Sequence, residues 1–239
     1  MKKIFTLIII LSFISCQSIL LKIVTANKSI ADNTKVLYND KTDQKIVFFP
    51  MTHVGKKEYY ESAKKIIDTL RENDYSFYYE NIAIHPDTKL DSSEIEIYGK
   101  KIRKIVGFDP LLDSTNQSLP KIYKKNNLML QDYRFMGLRK GDYQLDLREN
   151  QIIDSIEANY DKITLTKCDL QTQLSEEYNC ESLGKYKWAL TNEFRDPYIS
   201  KKVLENKKKK IVLIYGKKHW YFIYPDLRDA GFEIIKGKI

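Results

Sequence analysis

Two short apolar runs, rich in β-branched and aromatic residues, each end in a turn-forming residue and are followed by a histidine in the same frame. Residues 45–50 (KIVFFP) precede His53, and residues 211–216 (IVLIYG) precede His219. Runs of this length and composition are typical of buried strands rather than helices. Both imidazoles are therefore expected just beyond the ends of strands.

A helical pattern and another strand follow the first run. Residues 57–73 carry apolar side chains at helical spacing, and residues 75–79 form an aromatic run directly before Glu80. A strand, helix, strand unit almost always forms a right-handed parallel crossover, so the strand ends with His53 and Glu80 point the same way. Open α/β folds bind ligands at this edge of the sheet. We therefore expect His53, Glu80 and His219 to converge there.

The remaining chain alternates between helical and strand patterns. Spacing and short apolar runs define the later elements: helices over 91–106 and 143–160, a strand at 128–130, a helix starting at Asp196-Pro197, a helix over 221–230 and a strand at 232–235. Residues 161–185 are predicted to be an insertion with little regular structure. The predicted fold class is α/β, with a central, mainly parallel sheet flanked by helices and an active-site edge at the strand C-termini.

The first residues do not belong to this domain. Lys2 and Lys3, an apolar segment over 4–14 and Ser15-Cys16 have the parts of a secretory signal. A transmembrane span is the weaker interpretation, because polar residues interrupt the apolar run before it reaches the roughly 20 residues that a membrane helix needs.

The end of this signal predicts a lipid anchor. Residues 13–16 (FISC) resemble a bacterial lipobox, in which Cys16 becomes the lipidated N-terminus. An ordinary cleaved signal is the alternative. We predict a signal peptide at 1–15, a lipidated tether at 16–44 and one folded domain at 45–239, attached to a membrane of the bacterial cell envelope.

Export affects how the cysteines and the charge are interpreted. Cys168 and Cys180 lie in the polar insertion and either pair in an oxidising compartment or stay reduced. The net charge is +8, or +6 without Lys2 and Lys3, but the basic residues are scattered. This pattern does not indicate nucleic acid binding.

The densest basic run, residues 207–210, is interpreted as a solvated helix end, with attraction to an anionic membrane as the alternative. The membrane, reached through the lipid anchor, is the expected partner.

The order of these motifs resembles the TraB/PrgY/GumN-type superfamily, which is related to the Tiki proteases, the erythromycin esterases and the ChaN haem-binding lipoproteins. Four blocks carry the resemblance: Met51-Thr-His53-Val, Tyr79-Glu80, Arg195, and Gly216-Lys-Lys-His219 with the later segment 227–233 (LRDAGFE). The resemblance implies an erythromycin-esterase or ChaN type of fold. Two positions depart from the family pattern: Pro50 replaces a glycine, and Asp196 stands where such proteins often carry Asn.

Two imidazoles and one carboxylate predict metal-assisted hydrolysis. His53, Glu80 and His219 would hold zinc, manganese or cobalt, with Glu80 as the third ligand or as the base that activates water. Arg195 would stabilise an oxyanion or bind a substrate carboxylate. Similarity to the Tiki group suggests a peptide substrate, and the erythromycin esterases suggest an ester or lactone.

Other interpretations remain open at this stage. The resemblance to ChaN implies haem as an alternative cofactor, with a histidine or tyrosine as axial ligand, and Pro50 supports a scaffold whose site has decayed. Glu80 and Arg195 alternatively form a structural ion pair. Asp132 is a reserve ligand, and His85, before Pro86, is predicted to lie on the surface.

Overall fold

The computed structural model describes residues 30–83, 88–107, 123 and 125–235. The chain forms an α/β fold around a mixed, mostly parallel six-stranded sheet in the order β6-β4-β7-β2-β1-β8, with β3 and β5 in a separate two-stranded sheet. The strands are β1 (Lys35–Asn39), β2 (Gln44–Met51), β3 (Val54–Lys56), β4 (Ser76–Tyr79), β5 (Leu128–Leu130), β6 (Tyr143–Gln144), β7 (Lys210–Gly216) and β8 (Glu233–Ile234).

The described residues form seven α-helices. They are α1 (Ile30–Asn33), α2 (Lys57–Glu72), α3 (Ser92–Val106), α4 (Glu149–Asn159), α5 (Lys167–Gln171), α6 (Arg195–Leu204) and α7 (Trp220–Asp229). Within the described ranges, none of these helices is long and apolar enough to cross a membrane. The predicted signal peptide, Cys16 and His85 lie outside the described residues.

The centre of the sheet is parallel, as predicted. Strands β6, β4, β7 and β2 run in the same direction, whereas β1 pairs antiparallel with both β2 and β8. The central strands are apolar along their length because helices cover both faces. Phe49 packs with Ile67 of α2 on one face, and Leu213 packs with Ile199 of α6 on the other.

The folded region starts before the predicted boundary at Lys45. Residues of β1 pair with β2 from Lys35↔Phe48 to Asn39↔Gln44, so part of the predicted tether is a strand of the sheet. Strand β1 was missed because its apolar run, Val36-Leu-Tyr38, is only three residues long and is flanked by polar residues.

Pro50 does not break its strand. It lies in β2 opposite Tyr215 of β7, beyond Phe48, where the pairing of β2 with β1 ends. A proline is tolerated where no neighbouring strand needs its missing N–H. The first loop is therefore entered by a continuous strand, and β3 begins directly after it at Val54.

The boundaries of the predicted helices follow local chemistry. Asp91 caps α3 in a capping box with Glu94, and Gly107 ends it with φ 82°. The predicted helix over 143–160 is shorter, because Tyr143–Gln144 pairs with β4 as an edge strand. Helix α6 begins at Arg195 rather than being capped by Asp196.

The insertion is anchored on α3 by buried cations. Lys104 binds the Asp169 carboxylate at 2.6 Å, and Lys100 and Arg103 donate to backbone carbonyls of residues 170–173 at 2.6 Å. Each of these three cations is at most 5% exposed. Cys168 and Cys180 are joined by a disulfide that closes the same segment.

Replacing both Cys168 and Cys180 by serine is expected to lower the free energy of unfolding by about 3 kcal/mol, because the unfolded chain regains the entropy of the closed loop. Chemical denaturation of the double variant and of the oxidised parent measures this difference. The reduced parent should match the double variant, and equal stability of all three proteins would contradict the prediction.

Candidate active site

The parallel strands bring two of the three predicted residues into contact. Glu80 follows β4 and His219 follows β7, and their Oε1 and Nε2 atoms lie 3.2 Å apart. The other carboxylate oxygen of Glu80 accepts the Gly216 N–H at 2.8 Å. This pairing is set by the sheet, because β4 and β7 are adjacent and parallel.

His53 lies at the rim of the same group. It follows β2 and is exposed. A Cβ atom built on Gly216 would lie 3.3 Å from Glu80 Oε2 and 3.8 Å from His53 Nε2. The strand-end glycine thus occupies the space between these side chains, and a larger residue there would press on Glu80. The described structure places His53, Glu80 and His219 around one point.

Arg195 is buried behind Glu80. Its Nη2 donates to Glu80 Oε1 at 2.8 Å, and its Nε and Nη2 bind both oxygens of Asp146 at 2.9 and 2.5 Å. Its Nη1 donates to the Thr191 carbonyl at 3.2 Å, and the residue is 5% exposed. The Arg195 guanidinium therefore donates to Glu80, to Asp146 and to the Thr191 carbonyl.

Asp196 holds the opposite side of His219. Its Oδ1 is hydrogen-bonded to His219 Nδ1, and its Oδ2 accepts from the Asn192 amide at 2.9 Å. Asp196 is 1% exposed and Asn192 is 5% exposed. Asp196 therefore gives His219 a buried carboxylate partner.

These contacts form one buried network, which we call the charged network: Asp146, Arg195, Glu80, His219 and Asp196 in order of contact. Opposite charges alternate along it when His219 is protonated. Buried ions are stable only when each is paired, and removing one member leaves its partners uncompensated.

The pKa values of two network residues move in opposite directions. Burial by itself would raise the pKa of Glu80, but the hydrogen bond from His219 and the charges of Arg195 and His53 hold it well below its usual range. Burial would lower the pKa of His219, but its bonds to Asp196 and Glu80 raise the pKa to about 9. At neutral pH the pair is a carboxylate and an imidazolium.

The raised pKa of His219 predicts how stability depends on pH. Because the folded pKa of about 9 exceeds the ordinary value of 6.5, the stabilisation is complete below pH 6.5 and is lost as the pH rises through 9. The free energy of unfolding should therefore fall across this range, which denaturation at a series of pH values measures. His219→Gln should remove most of this slope; an unchanged slope would contradict the assignment.

Both carboxylate oxygens of Glu80, one of the implied metal ligands, already accept hydrogen bonds. Glu80 Oε1 accepts from Arg195 and faces His219, while Oε2 accepts from Gly216. An oxygen between two cationic donors is a poor ligand for a further cation, because like charges repel. Among the described residues, no group of three or more His, Cys, Asp or Glu is arranged to hold a metal. A divalent ion would therefore require His219 to lose its proton and Arg195 to release Glu80.

Several residues of the site were missed from the sequence. Asp146 follows β6, the short edge strand beside β4, so it obeys the same strand-end rule as Glu80. Two residues in β6 are too few to recognise by periodicity. Tyr133, also missed, donates to the Glu80 carbonyl at 2.5 Å. The proposed reserve ligand Asp132 instead accepts from the N–H groups of Arg134 and Phe135 in its own turn.

Comparison of the chain with protein-family models, with curated proteins and with solved structures finds no match. The family resemblance therefore rests on the sequence motifs around His53, Glu80, Arg195 and His219 alone.

Proposed function

We propose that this protein is a membrane-anchored hydrolase of ester or amide bonds, in which His53 acts as the general base and the charged network supports it. One observation carries the proposal: an ionised carboxylate, Glu80, is held by buried cations at the edge of a parallel sheet with an exposed imidazole beside it. Perturbed buried charges at this edge are typical of active sites.

The residues support a defined sequence of proton transfers. His53 accepts a proton from water while the water oxygen attacks the substrate carbonyl carbon. The nearby Glu80 carboxylate stabilises the imidazolium that forms, because opposite charges attract. The intermediate then expels the alcohol or amine, which takes the proton back from His53. The products are a carboxylic acid and an alcohol or amine.

Arg195, Asp146, His219 and Asp196 have a supporting role in this proposal. Arg195 and His219 keep Glu80 ionised and fixed, and Asp146 and Asp196 neutralise these cations in turn. Because these charges are already in position, no free energy is spent on reorienting them during the reaction. The motif resemblance to peptidases and to esterases supports the proposed bond classes, and the predicted lipobox at Cys16 supports the proposed anchor.

A metal-dependent hydrolase is the second candidate, and one contact favours it. Asp196 binds His219 Nδ1, as carboxylates do when they orient a metal-bound histidine. His53, Glu80 and His219 would then be the ligands of zinc, manganese or cobalt. Such binding requires His219 to lose its proton and Arg195 to release Glu80.

The test uses the full-length protein purified in a neutral detergent. It is assayed with nitrophenyl esters and fluorogenic peptides before and after dialysis against a chelator, and its metal content is measured by mass spectrometry. Hydrolysis that survives metal removal supports the proposal. Hydrolysis that is lost with a stoichiometric metal, and restored by zinc, manganese or cobalt, selects the second candidate.

Two outcomes would contradict both hydrolase candidates. One is hydrolysis that is equal in the parent and in a His53→Ala, His219→Ala double variant. The other is a Soret band after reconstitution with haemin that the double variant lacks, which would favour the haem-binding alternative.

A further inference from the structure

We propose that a second site binds a neutral carbohydrate in a cavity lined by three aromatic residues, Tyr160, Tyr186 and Trp188, and three charged ones, Asp161, Lys185 and Glu193. This inference does not depend on the proposed hydrolase activity. The cavity volume is about 320 Å³, at the lower end of the roughly 300–1,000 Å³ of small-molecule sites. A ligand of one or two sugar rings suits this size.

The aromatic rings are held in place yet remain accessible. Trp188 is 50% exposed and Tyr160 is 47% exposed. The Trp188 ring contacts Phe222 edge-on at 4.9 Å, and the Tyr160 ring lies 5.7 Å from that of the buried Tyr186. These partly exposed rings offer an apolar surface at the cavity that a ligand can cover. The C–H face of a sugar ring packs on such surfaces, and the hydroxyl groups remain free to bond elsewhere.

Hydrogen-bonding groups of both kinds line the same cavity. The Asp161 carboxylate accepts from Lys185 at 2.9 Å and from the Tyr186 hydroxyl at 2.8 Å. Both oxygens of Glu193 accept from the Tyr160 hydroxyl, at 2.7 and 2.9 Å. The lining therefore offers acceptors and donors around an apolar surface, as a ligand with many hydroxyl groups requires.

The charges of the lining favour a neutral ligand. A cation would meet the Lys185 ammonium, which already lies 4.6 Å from the centre of the Tyr186 ring and binds Asp161. An anion would meet the carboxylates of Asp161 and Glu193. Hydroxyl groups of a neutral ligand can pair with both the carboxylates and the ammonium of this lining.

The backbone under this cavity has an unusual form. Residues Ala189–Glu193 make a π-helix. This form is rare overall, but where it occurs it is often at a functional site. Its outer side contributes Glu193 to the cavity, while Asn192 and the Thr191 carbonyl bind Asp196 and Arg195 of the charged network. The π-helix thus places Glu193 in the cavity lining, while Thr191 and Asn192 keep their hydrogen bonds to the charged network.

Saturation-transfer NMR with the full-length protein tests the proposal. The probes are N-acetylglucosamine, glucose, galactose and mannose, in a polyoxyethylene detergent that carries neither sugar nor ammonium groups. We expect a saturable signal from at least one sugar, with affinity about tenfold weaker in Trp188→Ala because ring stacking is lost. Glu193→Gln should weaken binding in the same direction.

Tyr221→Ala is the matched control. Tyr221 is 62% exposed, and its loss should leave sugar binding unchanged. Equal binding by Trp188→Ala and the parent would overturn the proposal, as would the absence of a saturable signal from every sugar. A saturable response to tetramethylammonium alone would overturn it in favour of a cation site.

Discussion

Replacing His53 by alanine is expected to lower kcat/KM by about 10²–10⁴-fold for the ester or peptide that the parent hydrolyses, because the general base is lost. The side chain is exposed, so the midpoint of unfolding should stay at the parent value. Steady-state kinetics and thermal unfolding of the same preparation measure both quantities.

Lys218→Ala is the matched control for this variant. Lys218 is an exposed residue directly before His219 and takes no part in the charged network. Its activity and stability should equal those of the parent. Full activity in His53→Ala would remove the proposed base, and a large loss of stability would show that His53 supports the fold instead.

Replacing Arg195 by methionine is expected to lower the free energy of unfolding by about 3–5 kcal/mol, because Glu80 and Asp146 would then be buried without their counter-ion. The arginine binds these carboxylates at 2.8 and 2.5 Å, and its side chain is 6% exposed. Urea denaturation at pH 7 measures the change.

Arg228→Met serves as the control for the loss of an ion pair. Arg228 pairs with Asp229 at 2.8 Å, but both side chains are at least 60% exposed, and exposed pairs contribute little to stability. No measurable change is expected in this variant. If Arg195→Met were equally neutral, the charged network would not be a stabilising feature of the fold.

Addition of Asp146→Leu to Arg195→Met should recover part of the lost stability. The second change removes one of the two carboxylates that the first leaves unpaired, and a hydrophobic residue is often tolerated in place of a buried ion. The two changes should therefore be non-additive in a double-mutant cycle. Additive losses would show that Arg195 and Asp146 act independently.

The sequence by itself determined the central strands and the convergence of their ends. Two runs of β-branched and aromatic residues, with a helix and a strand between them, permit few arrangements other than parallel neighbours. The crossover rule directed the strand ends with His53 and Glu80 to one edge of the sheet, and the structure pairs Glu80 with His219 there at 3.2 Å. His53 reaches the same edge because β2 pairs with β7.

Only the tertiary structure decided which atoms are free for chemistry. The sequence left Glu80 and Arg195 as either a catalytic pair or an ion pair, since a list of polar residues carries no distances. Asp146 occupies Arg195 and Asp196 occupies His219, and both depend on contacts between distant segments. Strand β1 and the aromatic cavity depend on such contacts too, because strand pairing and surface shape arise only when separate elements pack together.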